Sequence, residues 1–232
     1  MGSSIQTAMI LAAGRGERMR PLTDARPKPL AMLAGKPLIE YHVERLAAAG
    51  VRRVVINLAW LGSQIRQQLG AGERFGLEIL YSDEGNAVLG TGGGVYRALP
   101  LLGAEPFWMV SADLYTEYPF ALHDRTASPA AGDLAHLVMV DNPDFHPKGD
   151  FCLEGGRVTE AMGSRLTYAS LAIIHPRLFV NCGAGAYSIV PLLQEAMRGG
   201  QVSGERFEGC WHNIGTVNQL SALHTALMRA PL

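Results

Sequence analysis

Short apolar runs alternate with segments of helical periodicity along the first 140 residues. Such runs, rich in β-branched residues, are typical of strands that are buried on both faces. Between them, apolar residues recur every three or four positions, which predicts helices that pack on the strands. The predicted strands are 8–12, 54–56, 77–81, 107–110 and 134–140, and the predicted helices are 37–49, 61–69 and 94–101.

The second half of the chain has a less regular pattern. A hairpin is predicted over 151–158, because Gly155 and Gly156 can adopt the positive φ of a primed turn. A strand over 167–174, a helix over 187–197 that ends at Gly199, a strand through Trp211 and a helix over 216–228 follow. No linker or repeat separates the two halves.

The alternation of strands and helices predicts a single α/β domain over 1–232. Its core is expected to be a Rossmann-like, mainly parallel mixed sheet with helices on both faces. Residues 1–140 supply the regular strands and 141–232 the irregular part.

Charge and composition exclude several classes of function. The formal net charge is −1, so the chain lacks the basic excess of a nucleic-acid-binding protein. It has neither an N-terminal signal pattern nor an apolar span long enough for a membrane helix, so a cytoplasmic protein is expected. Glycine is enriched, with 27 of 232 residues, or about 12% against a typical share of roughly 7%.

The segment LAAGRGERMRPLT at 11–23 is the strongest local signal. A buried strand leads directly into small residues, so that backbone N–H groups can approach an anion, and arginines surround them. It is not a Rossmann fingerprint, because Met19 replaces the third glycine and Pro21 prevents a continuing helix. Gly35-Lys36-Pro37 likewise lacks the Ser or Thr of a P-loop.

Together with PKPL at 27–30, this segment resembles the signature of the sugar-1-phosphate nucleotidylyltransferases. The resemblance extends to AGKPLI at 34–39, GTGGG at 90–94 and SAD at 111–113. It is greatest to the short bacterial members that act on N-acetylmuramate 1-phosphate, which have segments similar to 140–143, 149–151 and 202–205. It implies a glycosyltransferase-A-like fold, with nucleotide bound by 1–140 and sugar by 141–232.

The implied reaction is attack by a sugar-1-phosphate oxygen on the α-phosphorus of UTP, which forms UDP-N-acetylmuramate and releases pyrophosphate in peptidoglycan recycling. The resemblance assigns catalytic charge neutralisation to Arg18 and Lys28, and we expect an extended backbone at Lys28 because Pro29 follows it. It assigns nucleotide binding to Leu11, Ala12, Ala13, Gly14, Gly16, Thr91, Gly92 and Ser111.

Asp113 follows a predicted central strand, and its carboxylate suits Mg²⁺. The resemblance implies a second metal ligand at Asn213, where the family has an aspartate in a Trp-x-Asp-x-Gly-Thr context. One negative charge is therefore missing. Ser111 also departs from the family, which has a larger polar residue there.

The resemblance assigns sugar binding to Asp150, Glu160 and Tyr168. Nucleotidyl transfer to another sugar 1-phosphate, of the glucose, mannose or N-acetylglucosamine type, stays open, as does a catalytically weakened nucleotide-binding protein, which Asn213 motivates. The expected partners are UTP and a sugar 1-phosphate. Because no assembly module follows the last predicted helix, a monomer is expected.

Overall fold

The computed structural model describes residues 5–85, 87–122, 132–161 and 163–229. The helices in these ranges are α1 Leu22–Ala25, α2 Leu38–Ala48, α3 Gly62–Leu69, α4 Gly90–Leu102, α5 Val190–Arg198 and α6 Val217–Arg229. The strands are β1 Thr7–Leu11, β2 Met32–Leu33, β3 Lys36–Pro37, β4 Arg53–Leu58, β5 Glu78–Asp83, β6 Phe107–Ser111, β7 Leu114–Thr116, β8 Ala135–Val140, β9 Phe151–Glu154, β10 Arg157–Thr159, β11 Arg165–Ile174, β12 Val202–Arg206 and β13 Trp211–Asn213.

Within the described residues, nine of the strands form one mixed sheet in the order β5-β4-β1-β6-β11-β8-β12-β10-β9. Strands β5, β4, β1 and β6 are parallel neighbours, and so are β8 and β12, whereas β11 and β10 run in the opposite direction. Seven of these nine strands therefore share one direction, which confirms the predicted mainly parallel mixed sheet. The two halves of the chain interleave in the sheet, because β11 of the second half lies between β6 and β8 of the first half and β12 pairs with β8.

Helices cover both faces of this sheet because its strands are apolar on both faces. Ile10 and Ile56 pack with α2 and α3 in one core, while Met9 and Val55 pack with α4 and α5 in the other. Successive residues of β1 and β4 thus enter different cores, as the alternation of side chains along a strand requires. The prediction that these apolar runs are strands buried on both faces is therefore confirmed.

Four strands were not predicted from the sequence, namely β2, β3, β7 and β12. Strand β12 is short and contains a glycine and charged residues, yet it pairs in parallel with β8 along its whole length. A Cβ at Gly204 would lie 2.9 Å from the Leu137 carbonyl oxygen and 2.5 Å from Val158, so glycine allows this close packing. Strand β7 was missed because its three residues follow β6 almost directly; it pairs with β13 in a separate two-stranded sheet.

Two predicted helix starts are wrong. Helix α4 begins at Gly90 rather than at Gly94, so the glycines form its first turns and not a loop before it. Helix α5 begins at Val190, because the preceding Tyr187 is held against α4 by backbone hydrogen bonds. The predicted hairpin is confirmed as β9 and β10. No helix in the described ranges has the length and apolar character to cross a bilayer.

Candidate active site

A cavity of about 470 Å³ lies at the carboxyl ends of the parallel strands β1, β4, β5 and β6. This is the edge at which open α/β sheets bind their ligands, because the loops that follow the strands meet there. The lining includes most of the residues that were assigned from the sequence to nucleotide binding and catalysis, together with the predicted metal ligand Asp113. They are Leu11, Ala12, Ala13, Gly14, Gly16, Arg18, Lys28, Thr91, Ser111 and Asp113.

The two glycines of the loop after β1, residues 12–16 (the phosphate loop), have different structural roles. A Cβ at Gly14 would have no heavy atom within 4 Å, so the backbone there is open towards the cavity. Gly16 has φ +67°, and a Cβ there would lie 3.0 Å from Cβ of Lys28 and 3.1 Å from Thr23. Gly14 therefore leaves space for a ligand, whereas Gly16 allows the loop to turn tightly against Lys28.

The arginines of this segment point to different partners. Arg15 stacks 4.5 Å from the centre of the Trp60 ring, and Arg20 pairs with Asp24 at 3.1 Å. Arg18 lines the cavity and packs against the backbone of Gly215, where an added Cβ would lie 3.1 Å from its guanidinium. Of the three, Arg18 is therefore the one placed to meet an anion in the cavity.

Lys28 and Asp113 form a partly buried ion pair in the lining of the cavity, with 2.7 Å between Nζ and Oδ2. Ser111 donates to the other carboxylate oxygen at 2.7 Å. Burial alone would raise the pKa of Asp113, but the charge of Lys28 and the hydrogen bonds from Lys28 and Ser111 outweigh it and lower the pKa. The carboxylate is thus ionised at neutral pH.

The backbone at Lys28 is not extended as expected from Pro29. Lys28–Leu30 form a 3₁₀ turn, in which the N–H of Leu30 donates to Pro27 and that of Ala31 to Lys28, both at 2.9 Å. These bonds and the ion pair outweigh the steric preference of a residue that precedes proline.

Asn213 lies on β13, which pairs with β7 so that the N–H of Ile214 donates to the Asp113 carbonyl at 2.9 Å. Its side chain lines a second cavity of about 620 Å³, while Gly215, two residues on, lines the first. Its Oδ1 is buried and has no hydrogen-bond partner in the described part of the chain. An unpaired amide oxygen on the strand that pairs with β7, directly after Asp113, fits a hard divalent cation.

No cluster of three or more His, Cys, Asp or Glu side chains among the described residues could hold a metal by itself. A cation bound at Asp113 would therefore need further oxygen ligands, such as those of a substrate phosphate or of water. This donor set matches Mg²⁺, which typically takes few protein ligands and keeps substrate phosphates or waters.

The glycines at the start of α4 pack against the segment that precedes α5. The N–H groups of Gly92 and Gly93 both donate to the Tyr187 carbonyl, at 2.9 and 3.2 Å. Thr91 Oγ1 accepts from the Ile189 N–H at 2.9 Å. Thr91 lines the cavity and Gly92 does not, because Gly92 is buried under Tyr187, whose ring would lie 2.5 Å from an added Cβ.

The three predicted sugar-binding residues lie outside the described lining of both cavities. Asp150 accepts from His146 at 3.0 Å and from the Tyr168 N–H at 2.8 Å. The Tyr168 hydroxyl is buried without a partner among the described residues, and burial, followed by the charge of Asp150, raises its pKa. Glu160 instead ties the hairpin to α5 through Gln194 at 2.7 Å.

Asn57 and Glu84, which were not predicted from the sequence, also line the first cavity. Asn57 is near the end of β4 and Glu84 directly follows β5. Both are buried, with 3% and 6% exposure. A usable signal was present at Asn57, a polar residue that ends an apolar run in a parallel strand, as Ser111 does in β6. Glu84 gave no such signal, because Ser82 and Asp83 separate it from the apolar residues of β5.

Comparisons with known proteins agree with this geometry. The family model for nucleotidyl transferases matches residues 7–147. The chain is 46% identical to the N-acetylmuramate alpha-1-phosphate uridylyltransferase of Neisseria meningitidis, over 92% of this chain and 94% of that protein. It is 33% identical to the enzyme of the same name from Caulobacter vibrioides, over 99% and 100%. The inositol-1-phosphate CTP transferase of T. maritima superimposes with a TM-score of 0.78 at 18% identity, over the whole of both chains.

Proposed function

This chain belongs to the nucleotidyl transferase family, and we propose that it transfers a uridylyl group from UTP to N-acetylmuramate 1-phosphate. The products are UDP-N-acetylmuramate and pyrophosphate. The observation that carries the proposal is the partly buried Lys28–Asp113 pair, which lines the same cavity as the open backbone at Gly14; this cavity can hold a nucleotide. Two relatives that carry this activity in their names support the choice of UTP and of the acceptor.

The reaction exchanges one phosphate bond for another. An oxygen of the sugar phosphate bonds to the α-phosphorus of UTP, the bond to the β-phosphate oxygen breaks, and its electron pair leaves with pyrophosphate. The protein has no covalent step to perform, so its contribution is to position the reactants and to neutralise charge. We assign the pyrophosphate to Arg18 and the backbone of the phosphate loop, which line the cavity together.

Lys28 is assigned to the α-phosphate. One of its three N–H donors is held by Asp113 at 2.7 Å, which fixes the direction of the side chain, and the other two are available to phosphate oxygens. Because its side chain is only 10% exposed, the cation is poorly screened by water and stabilises a nearby negative charge strongly. The sugar residue, in this proposal, is bound by the part of the chain after 140, with Asp150, Glu160 and Tyr168 as its expected contacts.

We assign Mg²⁺ to Asp113 and Asn213. The fit rests on the ionised carboxylate of Asp113 and on the unpaired, buried amide oxygen of Asn213. When bound, the cation would neutralise charge on the phosphate oxygens. We further propose that the protein acts in the cytoplasm, in cell-wall recycling, and as a monomer.

Release of pyrophosphate tests the proposed reaction directly. Purified protein is assayed with UTP, GTP, CTP and dTTP, each against the 1-phosphates of N-acetylmuramate, N-acetylglucosamine, glucose and mannose. We expect the highest kcat/KM with UTP and N-acetylmuramate 1-phosphate. A higher value for any other pair would replace the proposed substrates, and binding of UTP without turnover in any pair would indicate a weakened nucleotide-binding protein.

Lys28→Met tests the assignment of the catalytic cation, with Lys36→Met as the matched control. Lys36 is a half-exposed lysine that pairs with Glu44 and lies outside the described lining of the first cavity. We expect Lys28→Met to lower kcat by about 10²-fold or more, and Lys36→Met to leave it within about two-fold. Equal effects of the two substitutions would contradict the role of Lys28.

A further inference from the structure

A continuous chain of hydrogen bonds joins the phosphate loop to the start of α4. The N–H of Ala12 donates to Oδ1 of Asn57 at 2.7 Å, and Nδ2 of Asn57 donates to Oε1 of Glu84 at 2.6 Å. The second carboxylate oxygen of Glu84 accepts from the N–H of Leu89 at 3.1 Å. Leu89 directly precedes Gly90, the first residue of α4. The two segments that face the nucleotide cavity are therefore connected through two buried side chains.

The N–H of Ala12 and the carboxyl oxygens of Glu84 together fix the orientation of Asn57. A backbone N–H only donates and the Glu84 oxygens accept, so Asn57 turns its amide oxygen towards Ala12 and its amide nitrogen towards Glu84. If the amide turned over, two N–H donors would meet at Ala12 and two oxygens would meet at Glu84. Both residues are almost fully buried, where an unpaired polar group is costly.

The surrounding packing leaves little freedom for this pair. An added Cβ at Gly94 would lie 2.7 Å from Oε1 of Glu84 and 2.9 Å from Nδ2 of Asn57. The second turn of α4 thus rests directly on the contact between the two side chains. A change in their separation or orientation is expected to move α4 relative to β1 and the loop that follows it.

Stability alone gives a weak reason for a buried carboxylate at this position. Both of its hydrogen-bond donors in the described contacts are neutral, and a pair of apolar side chains of similar volume is often as stable as buried charge. Both Asn57 and Glu84 also reach the cavity. A role in setting the geometry of the binding site explains the choice of residues better than a role in packing.

We propose that Glu84 is a positioning residue for the nucleotide. Through Asn57 it holds the backbone of the phosphate loop, and through Leu89 it holds the first turn of α4. It thereby sets the distance between the two walls of the cavity. The inference builds on the proposed function, because it takes UTP as the nucleotide, and it concerns binding rather than the transfer step.

An exchange of the two functional groups tests this proposal. Glu84→Gln replaces one carboxylate oxygen by an amide nitrogen, which then faces either Nδ2 of Asn57 or the N–H of Leu89, donor against donor. Asn57→Asp places two carboxylates 2.6 Å apart. In the double variant, the carboxylate at position 57 would accept from the N–H of Ala12 and from the new amide nitrogen at position 84. The amide oxygen at position 84 would accept from the N–H of Leu89. All the bonds are then restored with the total charge unchanged.

The dissociation constant of UTP is measured by titration calorimetry without acceptor, together with Tm in the absence of nucleotide. We expect each single substitution to weaken UTP binding by about ten-fold or more, and the double variant to bind within about three-fold of wild type. The KM of the sugar phosphate, in the variants that turn over, should change by less than about two-fold. Asp83→Asn is the matched control, because it removes an exposed carboxylate one residue away, and it should change none of these values.

Two results would overturn the proposal. One is a set of single variants with lower Tm but wild-type affinity for UTP, which would show that the pair serves only packing. The other is a double variant that binds UTP as weakly as the single variants do, and this readout decides the case even if one single variant fails to fold. If wild type binds UTP but transfers no uridylyl group, the proposed reaction fails while the positioning role is still measured. If wild type binds another nucleotide instead, the same series is run with that nucleotide.

Discussion

Gly93→Ala should destabilise the protein, although the same change usually stabilises the interior of a helix. A Cβ at Gly93 would lie 2.0 Å from the carbonyl oxygen of Gly185, so the two backbones would have to separate by about 1.4 Å to reach ordinary contact. Overpacking of this kind costs about 1–3 kcal/mol. The separation also weakens the bonds from Gly92 and Gly93 to Tyr187, at about 1 kcal/mol each.

The gain in helix propensity from alanine offsets about 1 kcal/mol of this cost. The expected net loss is therefore about 3 kcal/mol, which lowers Tm by roughly 6–12 °C for a chain of this length. Thermal unfolding is followed by circular dichroism without nucleotide, so that ligand binding does not contribute.

Gly183→Ala is the matched control for this measurement. Gly183 lies in the same segment before α5, and an added Cβ there would have no heavy atom within 4 Å. Its Tm should stay within about 2 °C of wild type. A Gly93→Ala variant that is as stable as this control would refute the reasoning, and would return the glycines of α4 to a role in nucleotide binding alone.

Further predictions concern the cavity and one buried histidine. Gly14→Ala should leave Tm unchanged, because its Cβ has space, yet raise the KM of UTP by about ten-fold; an unchanged KM would show that no ligand lies against this backbone. Asp113→Ala should lower kcat by about 10³-fold or more with the fold retained by circular dichroism, and near-normal activity would refute its role. Asn213→Asp should lower the Mg²⁺ concentration that gives half the maximal rate, and an unchanged or higher requirement would show that residue 213 is not a ligand. Burial lowers the pKa of His42 from 6.5 to about 4, so its contribution to stability is complete above pH 6.5 and is lost as the pH falls from 6.5 to 4. The variant His42→Gln can still donate to Leu114 but does not titrate. Its free energy of unfolding in urea should therefore fall by about 2 kcal/mol less than that of wild type between pH 7.5 and 5, and an equal fall would contradict the assignment.

The arrangement of the sheet was predictable because the parallel strands are buried on both faces. Such strands give continuous apolar runs, and the predicted runs 8–12, 54–56 and 107–110 all mark strands of the sheet. Strand β12 could not be found in this way, since its pattern is interrupted by Gly204 and two charged residues. It exists because β8 and β10 offer hydrogen-bonding edges on either side of it, which is information that no local window of the sequence contains.

The glycines show where the sequence is ambiguous. The resemblance assigns Gly92 of GTGGG to nucleotide binding, but Gly92 and Gly93 turn their N–H groups to Tyr187, about 95 positions along the chain. A glycine that allows another backbone to approach and a glycine that allows a ligand to approach look identical in a sequence. The added-Cβ distances separate the two cases, because they are short at Gly93 and open at Gly14.

Asn57 and Glu84 line the cavity but were not predicted from the sequence, although a general rule points to this part of the sheet. The carboxyl ends of parallel strands meet at one edge, so a polar residue that ends an apolar run is a candidate for the site even without a motif. Asp113 was identified through such a position. Asn57 has in β4 the position that Ser111 has in β6, because both pair with Leu11 of β1, whereas Glu84 directly follows β5. They were overlooked because the pairing of Asn57 with Ala12, 45 residues away, depends on the order of strands in the sheet. Because β4 lies between β1 and β5, Asn57 and Glu84 come within hydrogen-bond distance of each other. Both side chains are buried and polar, so each needs a hydrogen-bond partner, which is either the other side chain or a group bound in the cavity.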